Sequence, residues 1–158
     1  ATYLEVIAPD PGLDRPGKGL PFSMDVLNRS RLATWALRAE DIQEVAAVGA
    51  RAGIGLGRVE AGRRNKPDGG VLSWELTDPR AMPFGGAVPF LISWGRSPHP
   101  GSAAPFAGDL VRLEIHHPKP SSVRHAFSAL GIDMDVNEAD ELRLVAGIRT
   151  VDGEVVIS

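Results

Sequence analysis

Two stretches decide the fold: Leu32-Ala33-Thr34-Trp35-Ala36-Leu37-Arg38, running into Glu40-Asp41-Ile42, and Leu110-Val111-Arg112-Leu113-Glu114-Ile115-His116, running into Pro118-Lys119-Pro120. Sliding the chain by 78 residues sets Leu32 on Leu110, Trp35 on Leu113, Leu37 on Ile115, Val45 on Val123, Gly53 on Gly131 and Ile54 on Ile132 without a gap. In each copy a β-prone run precedes a helical pattern. The first helix is expected over Ala39 to Ala52, with acids in its first turn, and the second, led by proline, over about Pro120 to Leu130. A glycine stops each helix. Three β-prone runs follow in each copy: Ile54 to Glu60, Gly70 to Thr77 and Val88 to Trp94, then Ile132 to Val136, Leu142 to Thr150 and Glu154 to Ile157. Duplication of one unit competes here with two common strand–helix units matching by chance. A strand–helix start followed by a β-meander excludes the alternating winding of a dinucleotide-binding fold. The expected class is therefore α+β: paired βαβββ modules forming curled mixed sheets with helices on the outer face.

Upstream of the repeat, Thr2-Tyr3-Leu4-Glu5-Val6-Ile7-Ala8 reads as a core-type strand stopped by Pro9-Asp10-Pro11-Gly12. A chain opening on such a strand is expected to lack upstream residues, since termini are usually polar and loose. From Pro9 to about Arg31 a Pro/Gly-rich stretch reads as a long loop, with Leu20-Pro21-Phe22 as its apolar knot. Gly95 to Gly108 is the link between the copies. The expected division is residues 1–100, the last strand of one module plus a complete second, and residues 101–158, an added module.

Composition narrows the partners. In 158 residues, 43% apolar and 23% charged is the balance of an ordinary folded domain. A net charge of −3 leaves no broad basic surface for nucleic acid. No apolar run approaches the ~18 residues that cross a bilayer, and no basic-then-apolar leader opens the chain. The absence of cysteine removes thiol nucleophiles, thiolate metal sites and disulfides, which suits a reducing cytoplasm. Only Lys18, Lys66 and Lys119 of the 17 basic residues are lysine, a bias suggesting a GC-rich bacterial genome.

Several ordered segments carry a resemblance. They are Tyr3-Leu4-Glu5-Val6-Ile7; Trp35-Ala36-Leu37-Arg38 leading to Asp41; Arg64 before Pro67-Asp68-Gly69; Leu72-Ser73-Trp74; and Pro89-Phe90-Leu91-Ile92-Ser93-Trp94 followed by His99-Pro100. Together they resemble the glyoxalase-like domain proteins of the vicinal-oxygen-chelate superfamily, over about Tyr3 to Pro100. The resemblance implies an Asp-His strand and helix upstream of Tyr3, and a metal held between two modules by a first-strand ligand and a last-strand carboxylate from each. Glu5 matches one such carboxylate. The other positions fall on the absent segment, on Thr34 and on Ser93, and one carboxylate with two hydroxyls leaves a hard cation under-ligated. No cofactor is required by this set, and Glu5 is the one candidate ligand for a divalent metal; the competing reading is an ordinary acid satisfied by an arginine.

Strand alternation groups Tyr3, Glu5 and Ile7 with Thr34, Ala36 and Arg38, with Ser73, Glu75 and Thr77, and with Leu91 and Ser93 along one cleft. The opposite face, with Leu4, Val6, Trp35, Leu37, Leu72, Trp74 and Leu76, is expected to meet the helices. His99, in a Pro-flanked turn after the last strand of the first copy, is either an acid/base group beside the cleft or a structural turn residue. Arg64, Asn65, Lys66 and Asp68 are expected at a polar hairpin tip able to clamp an anion or simply to be solvated. His116 and His117 point to opposite faces and read as a solvated pair, and His125 as a surface residue. Gly53-Ile54-Gly55-Leu56-Gly57 imitates a phosphate loop but follows a helix, the wrong order for one.

The candidate ligand residues are thus Glu5, Thr34, Arg38, Arg64, Ser73, Glu75, Ser93 and His99. The resemblance implies a small-molecule protein related to lyases, isomerases or dioxygenases. The alternatives are a non-catalytic binding or sequestering module, and a structural role in which the added unit forms a homodimer.

Overall fold

The computed structural model describes residues 2–9, 12, 19–66 and 68–158. The first unit contains β1 (Ala36–Arg38), α1 (Ile42–Arg51), β2 (Val59–Asn65), β3 (Val71–Thr77) and β4 (Phe90–Ser93). The second contains β5 (Asp109–His117), α2 (Pro120–Ala129), β6 (Val136–Glu138), β7 (Arg143–Thr150) and β8 (Gly153–Ile157). The class is α+β, with two four-stranded mixed sheets and one helix on each.

The helix signals act as local chemistry requires. Asp41 caps α1, its carboxylate accepting from the Glu44 N–H at 3.0 Å, and Pro120 occupies the first turn of α2, where its missing N–H costs nothing. Gly53 and Gly131 end the helices in the same left-handed conformation, with φ of 73° and 70°. Behind them Ile54 N–H donates to Gly49 and Ile132 N–H to Phe127, both at 2.9 Å, so the matched glycines perform one and the same stop.

The two units share an order of elements but not a topology. In the first sheet the strand order is β1-β4-β3-β2; in the second it is β6-β5-β7-β8. The first unit pairs its opening strand in parallel with its last, whereas the second pairs its opening strand with the one just after the helix. Both arrangements close on one core. Ile42 of α1 and Val123, Ala126 and Phe127 of α2 are buried with Leu91 and Val88 of the first unit and Ile115 and Leu144 of the second. Trp35 crosses the junction: its ring meets Phe127 edge-on at 5.9 Å and its indole N–H donates to the Ala87 carbonyl at 2.9 Å.

Three sequence expectations change. Thr2 to Ala8 joins neither sheet, and Val6 is 90% and Leu4 52% exposed. An apolar alternating run becomes a strand only when a neighbour takes its backbone groups, and among the described residues none does. The expected strand from Ile54 to Glu60 lies five residues later, because Ile54 and Leu56 are buried as an irregular plug and the hairpin aligns Val59 with Thr77 through Asn65 with Val71. Arg64 and Asn65 therefore belong to the strand rather than to the hairpin tip. Of the loop from Pro9 to Arg31, only Pro9, Gly12 and residues 19–31 are described, with one 3-10 turn at Pro21–Ser23.

Candidate functional site

The register fixes which side chains share each face of the first sheet. Leu37 pairs with Leu91, Val59 with Thr77, and Glu75 with Ser93. This face carries the fully buried Leu91 and Thr77 and turns toward α1 and the core. Arg38, Ile92, Leu76 and Glu60 form a row across the opposite face, with Phe90 and Trp74 to either side. The expected assignment of faces is therefore reversed for β3 and β4.

The polar residues expected in the cleft divide accordingly. Thr77, 0% exposed, lies on the helix side, and its hydroxyl accepts from the Leu91 N–H at 3.0 Å in place of a ladder bond. Ser93 is buried on that same side, Glu75 is exposed at its end, and Ser73 is joined to Ser97 by bonds of 3.0 and 3.1 Å. Thr34 donates to the Gly86 carbonyl at 3.3 Å and is taken up by that loop. Glu5, Arg38, Arg64 and His99 remain, gathered about the open face. Sequence reasoning separated these groups wrongly because alternation tells which residues of one strand go together, not how neighbouring strands are registered.

Aromatic contacts wall the open face at both ends of β4. At one end Phe22 meets Phe90 at 5.3 Å; Phe22 and Ser23 hold left-handed φ values of 57° and 54°, and Phe22 N–H donates to Pro79 at 2.9 Å. Such backbone is strained for residues with a Cβ, so the surrounding contacts must hold it. At the other end Trp94 lies 5.9 Å from Trp74 and 6.0 Å from His99, and Tyr3 stands edge-on to His99 at 5.4 Å. Trp74 fits because its cross-strand partner is Gly62, where any Cβ would fall 2.4 Å from the indole. Between the walls the half-buried Ile92 and Leu76 are bordered by exposed Arg38 and Glu60. Trp94 directly follows β4, four residues beyond Phe90, so the gap is about 13 Å long. Phe22, Trp74, Leu76, Ile92 and Trp94 were not among the sequence-derived ligand residues; the Leu20-Pro21-Phe22 knot inside a polar loop was the available signal for Phe22.

Electrostatics at the Tyr3 end are specific. The Tyr3 phenol donates to Glu5 Oε2 at 3.1 Å, and its pKa is pushed up to about 12, by burial first and then by the charge and hydrogen bond of Glu5, against a smaller opposing effect of Arg64. His99 accepts the Gly101 N–H on Nδ1 at 3.1 Å, which leaves the proton of the neutral ring on Nε2. Burial first, with the positive charge of Arg38 among the smaller contributions, holds His99 below the ordinary imidazole range. Among the described residues neither Arg38 nor Arg64 has a carboxylate partner.

The donors implied by a metal site do not assemble. Ser93 lies on the far face, Thr34 is bonded to Gly86, and Glu5 is engaged by Tyr3. Among the described residues no three His, Asp or Glu side chains come together to hold an ion. The remaining histidines lie in the second unit. His116 Nε2 is 3.2 Å from Glu114, and His117 accepts from the Lys119 N–H at 2.9 Å beside Phe84. Both are half-buried and partnered rather than solvated, while His125 is exposed as expected. At the hairpin tip Asp68 is spent on the turn, accepting from Gly70 N–H at 2.9 Å and pairing with Lys66; Pro67 lies outside the described residues.

A strand–helix–three-strand unit with a shallow, aromatic-walled sheet face defines the class, an α+β protein. The chain matches the model of the glyoxalase-like domain over residues 1–131 and belongs to that family, within the vicinal oxygen chelate superfamily. It is thus a glyoxalase-type small-molecule protein. The match runs past residue 100, through β5 and α2. No curated protein and no solved structure matches the chain. Among the described residues no helix is long and apolar enough to cross a membrane.

Proposed function

We propose that the protein binds a small organic molecule on the open face of its first sheet, between the Phe22–Phe90 wall and the Tyr3–His99–Trp94 wall. The observation that carries this reading is the row Arg38–Ile92–Leu76, exposed at Arg38, half-buried at Ile92 and Leu76, and lying between two aromatic ends. Apolar surface bounded by a few polar groups is the ordinary chemistry of a small-ligand site. The non-catalytic binding or sequestering role is favoured, because the donors of the family's metal chemistry are dispersed. A second reading, a lyase, isomerase or dioxygenase relative, draws on the Tyr3–Glu5 hydrogen bond beside a neutral His99, which is an arrangement able to move a proton. The division near residue 100, a cytoplasmic setting and self-association through the second unit belong to the same proposal; neither nucleic acid nor membrane enters it. Two other concavities are competing sites: one of about 430 Å³ along Val26–Arg31, and one of about 290 Å³ between residues 29–33 and 139–144. A fragment screen on the 15N-labelled chain tests the choice. Amide shifts are expected at Arg38, Leu76, Ile92 and His99; shifts confined to Arg29–Ala33 and Ala139–Leu144 would transfer the site to the seam between the units.

A further inference from the structure

The two ends of the open row are chemically unlike. Arg38 stands at the β1 edge, followed by Ile92 and Leu76, with Glu60 at the β2 edge. Strands lie about 4.8 Å apart, so the two charges are separated by about 14 Å at the backbone, with only hydrocarbon between them. On the Arg38 side, two donors have no acceptor among the described residues: the Arg38 guanidinium and His99 Nε2–H, freed for a ligand because Nδ1 is taken by Gly101. Register sets Arg38 beside Ile92, two residues from Trp94, whose ring lies 6.0 Å from that of His99. Glu5 does not fill this role, since Tyr3 holds it.

Resting on the proposed ligand face, we infer that the Arg38–His99 end of the cleft receives the carboxylate of a small organic acid whose apolar body lies over Ile92 and Leu76. A planar guanidinium fork with a neighbouring N–H donor matches the two oxygens of a carboxylate. The apolar body then covers half-exposed hydrocarbon that the fold leaves unburied. Glu60 at the far edge repels a second anionic group, so the ligand class is a monocarboxylate with one charged end.

Benzoate and its uncharged counterpart benzamide, titrated into the full chain and followed by amide shifts and tryptophan fluorescence, test this. Benzoate is expected to bind about tenfold more tightly than benzamide, the effect of one exposed charge-assisted contact. Arg38→Met is expected to remove that preference. Arg63→Met, which deletes a like charge on the same sheet's opposite face, is expected to keep it. Arg38→Lys, with charge but no fork, should fall between and covers the case of a misfolded methionine variant. Equal binding of both probes at Ile92 and His99 would overturn the carboxylate assignment and leave the ligand face standing. A benzoate preference that survives Arg38→Met or Arg38→Lys undiminished would overturn it as well. No response to either probe at the open face would remove this inference together with the reading beneath it.

Discussion

Thr77→Val tests the reversal of the sheet faces directly. Valine keeps the volume of threonine but has no acceptor, so the Leu91 N–H, with both residues 0% exposed, is left with neither its 3.0 Å bond nor water. Stranding a buried backbone donor costs about 1–3 kcal/mol. In a chain of this size, each kcal/mol lowers the melting temperature by roughly 2–4 °C, so a central cost of about 2 kcal/mol corresponds to roughly 4–8 °C. Urea unfolding and hydrogen exchange measure the two halves of the argument. The midpoint is expected to fall, and the Leu91 amide to lose protection. Thr77→Ser retains the oxygen and should keep that amide protected, while losing about 1 kcal/mol of methyl burial. If Thr77 instead faced the ligand cleft, valine would be nearly neutral and would alter ligand affinity. A Thr77→Val protein within about 0.5 kcal/mol of the parent, with Leu91 still protected, refutes the assignment.

Tyr3 is the single tyrosine, so its ionisation can be read alone from ultraviolet absorbance. The midpoint is expected near 12 in the folded chain and near 10 after unfolding, and Glu5→Gln should lower the folded value by removing both the charge and the anionic acceptor. Because the folded phenol holds its proton longer, the associated stabilisation is complete below pH 10 and is lost as pH rises from 10 towards 12; a folded midpoint at 10 would mean Tyr3 does not pack against His99 and Glu5. For Gly62→Ala, the new methyl meets the Trp74 ring at 2.4 Å, so the indole must move. Overpacking predicts a loss of about 1–3 kcal/mol, with a red-shifted tryptophan emission as Trp74 leaves Trp94; unchanged emission and stability would show that the indole does not lie over Gly62.

What was legible in the sequence followed from short-range rules. Asp41 before Ile42, Pro120 at a helix start, and Gly53 and Gly131 at matched stops each act through their own few residues, and each element they announce is present. The family segments were legible too, since Glu5, Arg38, Arg64 and His99 all belong to them and meet at one face. Ser73, Glu75 and Ser93 were misassigned for a different reason. A polar side chain on an alternating strand looks the same whether water or a backbone group satisfies it, and Thr77 shows the latter with the Leu91 N–H.

The sequence alone therefore determined the order strand, helix, three strands in both units, because helix caps, glycine stops and period-two runs are local. It also grouped the residues of each strand by side. Only the tertiary structure decided which side the helix covers, since that depends on how β1 and β3 register against β4, pairing Arg38 with Ile92 and Glu75 with Ser93. It also decided the two strand orders. The same local sequence of elements closes as β1-β4-β3-β2 in one unit and β6-β5-β7-β8 in the other, because strand pairing satisfies backbone groups far apart in the chain.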